Sequence, residues 1–213
     1  MYPINYLREI AISQVQTERC LLIDVDFDLP KNLSASLNDI EDGNYCYILP
    51  AFETHHLPVS LPTPLHKEEL LQRINEDKIF EFRASVWPQG QSQTNFEHWY
   101  SSNRSFEVEW NHDFEPYMIV QTKKLQSVSR DLSYFSGYGW NKVVYTMLLD
   151  IMHCKFKVLS NAFLLHRPHP PSFEMLRYRK SIKYRKCIDE LKKSLINYLS
   201  CKHGIAALKY WKS

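Results

Sequence analysis

The segment Cys20-Leu21-Leu22-Ile23-Asp24-Val25-Asp26 decides the fold class of this 213-residue chain. A short run that is apolar on both faces, as at residues 20–23, is typical of a buried strand in an α/β sheet. On an extended strand, residues i and i+2 point to the same face. The sequence therefore predicts that Asp24 and Asp26 lie together at the end of a buried strand, where open α/β sheets bind ligands.

A pair of converging carboxylates suggests a metal site. Together with the oxygens of a diphosphate, Asp24 and Asp26 would form a suitable ligand set for Mn²⁺ or Mg²⁺. An ion held in this way would neutralise the charge that grows on a departing nucleoside diphosphate. Phosphatases of the haloacid dehalogenase class also begin with a strand and this tripeptide, but Thr or Val usually stands where this chain has Asp28. We keep that class as a lesser alternative.

The rest of the chain alternates between strand and helix patterns, which favours an α/β fold with a mixed sheet flanked by helices. Polar residues 87–103 predict a loop. The periodicity of apolar residues predicts strands at 46–52, 117–122, 156–159 and 162–165 and helices at 2–16, 67–77 and 141–151.

A long amphipathic helix is predicted at about residues 174–200. Its apolar side carries Ile188, Leu191, Leu195 and Leu199. A basic helix face of this kind is usually solvated, and the alternative is contact with an anionic glycan or a membrane surface. The basic residues of the opposite side are Arg177, Arg179, Lys180, Lys183, Arg185, Lys186, Lys192 and Lys193.

The composition excludes several classes of protein. Hydrophobic residues make up 44% of the chain and charged residues 23%, which suits a packed core in a single domain. The formal net charge of +2 argues against a nucleic-acid partner. The sequence contains neither a membrane-spanning apolar stretch nor a signal peptide. Its cysteines form no CxxC pair, so a zinc site is not expected.

A second polar cluster follows the last predicted strand. The apolar run at residues 163–165 ends in His166, and His169 follows three residues later. A histidine at the end of a strand is often structural. In a chain that also carries Asp24 and Asp26, His166 becomes a candidate for a third metal ligand.

Short blocks distributed in order along nearly the whole chain resemble the LARGE-type glycosyltransferases, which modify dystroglycan. The blocks that carry the resemblance are Tyr2-Pro3-Ile4-Asn5-Tyr6-Leu7-Arg8, Asp24-Val25-Asp26-Phe27, Pro50-Ala51-Phe52-Glu53, Thr94-Asn95-Phe96 with Trp99, Phe114-Glu115-Pro116-Tyr117, Gly137-Tyr138-Gly139-Trp140-Asn141-Lys142, Pro168-His169-Pro170-Pro171-Ser172-Phe173 and Ala206-Ala207-Leu208-Lys209-Tyr210.

The resemblance implies a GT-A fold and an inverting reaction. Glucuronic acid would pass from UDP-glucuronate to a xylose-terminated glycan of the O-mannosyl type found on dystroglycan. In LARGE enzymes this activity belongs to the C-terminal domain, and the related β-1,4-glucuronyltransferase has a domain of the same kind. By similarity, Asp24, Asp26 and His166 would hold Mn²⁺ and the UDP diphosphate.

An inverting transfer needs a general base on the acceptor hydroxyl. Glu115 is the first candidate, because Pro116 fixes the backbone beside it, and Asp113 is the second. A cation near the donor could pair with the glucuronate carboxylate. The candidates for donor or acceptor binding are Thr94, Asn95, Asn141, Lys142 and His169. The chain departs from the family pattern at Gln91 and Tyr145, where the family has histidines, and these changes concern the choice of acceptor.

A GT-A domain of this family begins with uridine-binding strands, and few residues precede Asp24 here. We therefore expect residues 1–213 to form one GT-A domain that lacks the upstream nucleotide-binding strands and binds UDP poorly by itself. The whole protein would add an upstream xylosyltransferase domain and a Golgi membrane anchor. The chain would then lie in the Golgi lumen as part of a type II membrane protein. The alternative is a weakly active or inactive remnant that binds a glycan or a partner domain.

Overall fold

The computed structural model describes residues 1–31, 33–37, 40–54, 62–133 and 135–204. The chain divides into two compact units. We call Leu21–Val120 with Cys154–His169 the sheet unit. We call Met1–Cys20, Gln121–His153 and the described part of Pro170–Ser213 the helical unit. The Ala206–Tyr210 block lies outside the described residues.

The sheet unit is built on two mixed sheets, with strand orders β1-β7-β3-β8-β6 and β2-β9-β4-β5. Strand β3 is parallel to β8 and antiparallel to β7, and β4 is parallel to β9 and antiparallel to β5. This arrangement confirms the predicted α/β class and is compatible with a GT-A-like fold. The strands are β1 (Arg19–Leu22), β2 (Phe27–Asp28), β3 (Tyr45–Leu49), β4 (Ala51–Glu53), β5 (Phe80–Glu81), β6 (Phe106–Val108), β7 (Tyr117–Gln121), β8 (Lys155–Val158) and β9 (Leu164–His166).

Among its described residues, the sheet unit contains three α-helices: α2 (Leu33–Ser36), α3 (Lys67–Asn75) and α4 (Phe96–Ser101). Trp99 of α4 is completely buried, and its indole Nε1 donates to the carbonyl of Leu159 at 2.8 Å. The buried ammonium of Lys67 donates to the carbonyls of Trp99 and Ser102. These carbonyls lie at the carboxyl end of α4, where helix carbonyls lack a full set of backbone partners, so Lys67 ties α3 to the end of α4.

The helical unit contains the remaining helices, α1 (Ile4–Ser13), α5 (Thr122–Leu132), α6 (Val143–Ile151), α7 (Phe173–Lys180) and α8 (Ile182–His203). Gln126 of α5 donates from Nε2 to the carbonyl of Ile12 at 3.2 Å, which joins α5 to α1. Ile188, Leu195 and Leu199 of α8 are buried, as the apolar stripe in the sequence predicts. None of the described helices is both long and apolar enough to cross a membrane.

Three predicted elements differ from the observed ones. The strand at 46–52 is divided into β3 and β4, which join different sheets, because Pro50 has no N–H to donate and interrupts the ladder. The helix at 174–200 is divided into α7 and α8 by Ser181, whose extended backbone ends α7 and whose hydroxyl caps α8. The predicted loop at 87–103 contains α4 and two 3₁₀ turns. The prediction of one GT-A domain over residues 1–213 stays a prediction.

Candidate metal and donor site

The paired aspartates lie in a turn between β1 and β2, not on an extended strand. Strand β1 ends at Leu22, and the amide of Phe27 donates to the carbonyl of Asp24 at 3.3 Å across the turn. The side chain of Val25 is fully exposed at the tip of this turn. The prediction that the two carboxylates share one strand face is therefore wrong, since alternation holds only for extended backbone.

The two carboxylates have different partners. Oδ2 of Asp24 accepts a hydrogen bond of 2.9 Å from the hydroxyl of Tyr117, a buried residue of β7. Asp26 faces two histidines from the other sheet. The sequence placed Asp24 in the metal site, whereas the described group of possible metal ligands comprises Asp26, His166 and His169.

These three side chains converge closely. Oδ2 of Asp26 lies 2.7 Å from Nε2 of His169 and 3.4 Å from Nε2 of His166. One ligand atom from each residue lies within 4.8 Å of the other two. Antiparallel pairing of β2 with β9 sets Phe27 opposite His166, which brings the turn carrying Asp26 alongside both histidines.

The surroundings of this group suit a metal ion. Burial lowers the pKa of His166. The Asp26 and Glu53 carboxylates raise it, but the effect of burial is larger, so the imidazole is mainly neutral at pH 7. A neutral imidazole can coordinate a cation. Oδ1 of Asp26 is buried without a hydrogen-bond partner among the described residues. A buried carboxylate oxygen with no partner is costly, and a bound cation would satisfy it.

Glu53 is a member of the site that the sequence did not reveal. Parallel pairing of β4 with β9 sets it opposite His166, and its Oε2 lies 3.9 Å from Nδ1 of the imidazole. Oε1 of Glu53 accepts the backbone N–H of Arg83 at 3.0 Å, which fixes the carboxylate. In the sequence, Glu53 is only an acidic residue at the end of the Pro50–Glu53 block. Its position opposite His166 results from the pairing of β4 with β9, which the sequence pattern does not show.

Arg167 holds the aspartate turn against β9. Its backbone N–H donates to the carbonyl of Asp26 at 2.9 Å, and its Nε donates to Oδ2 of Asp28 at 2.5 Å. The hydroxyl of Thr63 donates to the same Asp28 oxygen and accepts from the Arg167 guanidinium. The backbone on both sides of Phe27 is thereby tied to the strand end that carries His166.

Both candidate bases belong to the sheet unit. Oδ1 of Asp113 lies 3.0 Å from Nδ1 of its neighbour His112, and both side chains are largely buried. The backbone of Glu115 is anchored at both ends, because its N–H donates to the carbonyl of Gly90 and its carbonyl accepts from Nε2 of Gln91. These two hydrogen bonds fix the backbone from which the Glu115 side chain extends, as a general base with a defined position requires.

The candidate sugar-binding residues fall in both units. Thr94 is completely buried, and Asn95 caps α4 by accepting the amide of His98 through its side chain. Asn141 lies in the helical unit, where its Oδ1 accepts from Arg8 at 2.8 Å. Lys142 stands at the start of α6 in the same unit. His169, which the sequence assigned to donor or acceptor binding, lies 2.7 Å from Asp26 through its Nε2, and its role in sugar binding stays a prediction.

Comparison with known proteins identifies the family of the chain. Residues 1–198 match the family described as "Glycosyl-transferase for dystroglycan". The chain is 38% identical over 215 residues to "Xylosyl- and glucuronyltransferase LARGE1" of Danio rerio, covering 98% of this chain and 28% of the relative. The Homo sapiens protein of that name gives the same figures. "Xylosyl- and glucuronyltransferase LARGE2" of Mus musculus is 37% identical over 217 residues, covering 99% of this chain and 31% of the relative.

The chain therefore belongs to the family of glycosyltransferases for dystroglycan, and it spans less than a third of the length of these relatives. The predicted resemblance to LARGE-type glycosyltransferases is confirmed. The phosphatase alternative is set aside, because the match covers all of the site residues and not only the paired aspartates.

Proposed function

We propose that this chain catalyses metal-dependent, inverting transfer of glucuronic acid from UDP-glucuronate to a xylose-terminated glycan of the O-mannosyl type. The observation that carries the proposal is the convergence of Asp26, His166 and His169 around one carboxylate oxygen. Family membership supports the reaction class, and the printed names of the relatives include glucuronyl transfer.

The ligand set bears on the identity of the metal. Mg²⁺ prefers an octahedron of oxygens, whereas two imidazoles with one carboxylate suit a divalent transition-metal ion better, and among these ions we propose Mn²⁺ on the family resemblance. Asp26, His166 and His169 would hold the ion, and diphosphate oxygens of the donor would complete its coordination. When bound, the ion would supply positive charge to stabilise the departing UDP.

The protein side chains prepare this site. Burial favours the neutral form of His166, and its Nε2, which lies 3.4 Å from Oδ2 of Asp26, would coordinate a cation in place of a proton. With Nε2 used in this way, the ring proton would reside on Nδ1, which has no hydrogen-bond partner among the described residues and lies 3.9 Å from Oε2 of Glu53. At this distance the Glu53 carboxylate would act on the metal-bound imidazole through its negative charge and not through a hydrogen bond.

Inversion needs one displacement, in which a base removes the proton of the acceptor hydroxyl. We propose Glu115 for this role, because its backbone is held on both sides, and Asp113 as the second candidate. The contact with His112 supports Asp113, since Nδ1 of the imidazole lies 3.0 Å from Oδ1 and can hold the carboxylate in place. Thr94, Asn95, Asn141 and Lys142 remain candidates for donor or acceptor contacts.

The proposed setting is the Golgi lumen, as part of a type II membrane protein. The relatives' names combine xylosyl- with glucuronyltransferase, which supports a partner xylosyltransferase domain that would make the xylose-terminated acceptor. In this setting the partners of the chain are a UDP-sugar donor and a glycoprotein glycan.

The direct test is UDP release by the purified chain with UDP-glucuronate and a xylose-terminated acceptor. Release should require both Mn²⁺ and the acceptor, and Asp26→Asn should abolish it. UDP-xylose serves as the alternative donor and should give little release. Release from UDP-xylose alone would overturn the donor assignment. Because we expect the chain to bind UDP weakly, the donor is supplied at saturating concentration, and a folded chain that then gives no release from either donor would favour the inactive remnant.

A further inference from the structure

The junction between α7 and α8 concentrates positive charge without compensating acids. Six basic residues lie between residues 177 and 186, and no acidic residue occurs between Glu174 and Asp189. Four of the six are exposed and have no ion pair or side-chain hydrogen bond within the described chain. These four residues, which we call the basic surface, are Arg179, Lys180, Lys183 and Lys186.

Several exposed cations elsewhere in the described residues have a carboxylate partner. Four exposed lysines lie 2.5–3.2 Å from a carboxylate: Lys78 from Glu76, Lys155 from Glu107, Lys193 from Glu190 and Lys202 from Asp131. An unpaired cluster of like charges costs free energy through repulsion, and an anionic ligand would remove that cost.

The backbone of the junction is fixed. Arg185 donates from Nη1 to the carbonyls of Tyr178 and Arg179, which lie at the end of α7. The Ser181 hydroxyl accepts the amide of Tyr184 at 3.1 Å and caps α8. Because hydrogen bonds fix the end of α7 and the start of α8, the backbone that carries the four cations has a defined geometry. Lys183 and Lys186 are three residues apart and are neighbours on one face of α8.

Exposed apolar side chains lie beside these charges. Phe173 is 76% exposed and Ile182 is 65% exposed. On α7, Phe173 and Lys180 are seven residues apart and share one face. The apolar side of α8 is buried within the helical unit, so the junction lacks the continuous exposed apolar face that a membrane-surface helix requires.

We infer that the basic surface binds an acidic glycan, with uronate carboxylates against the four cations and a sugar ring against the Phe173 side chain. Lys and Arg make charge-assisted hydrogen bonds to carboxylates, and an exposed aromatic ring offers an apolar face to sugar C–H groups. The inference rests on the proposed function, which makes a glucuronate-bearing glycan the polyanion nearest to the enzyme.

The test measures binding of hyaluronan oligosaccharides, which carry glucuronate in every second sugar, to the full chain by calorimetry. The variant Lys180→Gln/Lys183→Gln should bind at least about fivefold more weakly. The matched control, Lys31→Gln/Lys123→Gln, removes two exposed lysines that also lack a described ion pair and should bind as the parent does. Binding should weaken with added salt, less steeply in the first variant. Phe173→Ala should weaken binding without changing the salt dependence.

Three outcomes would overturn the inference: equal affinity of the two double variants, equal binding of neutral dextran, or binding to phosphatidylserine vesicles with none to hyaluronan. Asp26→Asn should keep full hyaluronan affinity. Hyaluronan binding without UDP release would support the basic surface and contradict the proposed transfer reaction. UDP release without hyaluronan binding would support the transfer reaction and contradict the basic surface.

Discussion

Nε2 of His169 lies 2.7 Å from Oδ2 of Asp26, although 143 positions of sequence separate the two residues. The pairing of β2 with β9 and the hydrogen bond from the Arg167 amide to the Asp26 carbonyl bring them together. The same Asp26 oxygen faces His166 at 3.4 Å. One oxygen of Asp26 therefore contacts both imidazoles, so changes to Asp26, His166 or His169 should alter metal binding.

His169→Gln should weaken Mn²⁺ binding by at least about tenfold, because it removes one of three proposed ligands. His203→Gln is the control, since His203 is exposed at the end of α8. Mn²⁺ affinity can be measured by calorimetry in the presence of UDP. If His169→Gln left the Mn²⁺ affinity unchanged and raised KM for the donor, His169 would be a sugar-binding residue, as the sequence suggested.

Glu53→Gln should lower Mn²⁺ affinity by roughly tenfold, because the amide removes the negative charge that lies behind His166. Gln can still accept the Arg83 amide through its side-chain oxygen, so the fold should be kept. Circular dichroism checks the fold, and calorimetry measures the affinity. Unchanged affinity in a folded Glu53→Gln protein would show that the 3.9 Å contact has no role in metal binding.

Mn²⁺ affinity should depend on pH in a defined direction. Burial holds the pKa of His166 below its ordinary value of 6.5, so the imidazole is already neutral at pH 7. Protons should compete with the metal at His166 only as the pH falls below about 6.5. Titrations across this range should show little change above neutrality and a decline below it. A steep loss of affinity that begins well above neutrality would contradict the neutral state of His166.

The two candidate bases can be separated by matched amide variants. Glu115→Gln should lower kcat by roughly 10²-fold or more while UDP binding stays intact, as expected on loss of a general base. Asp113→Asn should have a smaller effect. If Asp113→Asn lowered kcat more than Glu115→Gln, Asp113, in contact with His112, would be the general base.

Local patterns predicted most of the strands and helices, because alternation and apolar runs report burial directly. They were wrong where a single residue changed the backbone. Pro50 divides one predicted strand between two sheets, and Ser181 divides one predicted helix. Neither break alters the apolar pattern, so periodicity alone could not reveal it.

The candidate site could be predicted only in part. Asp26 and His166 were singled out together because each follows an apolar run. The turn that separates Asp24 from Asp26, the position of His169 and the approach of Glu53 depend on how β2, β4 and β9 pair. Strand pairing between distant segments is a tertiary property, and one sequence does not determine it by local pattern.

The central claim is that Asp26, together with His166 and His169, holds the metal of the donor site. The most direct test is an electron paramagnetic resonance titration of Mn²⁺ into the chain with UDP, comparing the parent protein with Asp26→Asn and Asp24→Asn. The parent should bind one Mn²⁺, Asp26→Asn should lose that binding, and Asp24→Asn, whose native carboxylate is engaged with Tyr117, should keep most of it. Undiminished Mn²⁺ binding by a folded Asp26→Asn protein would contradict the claim.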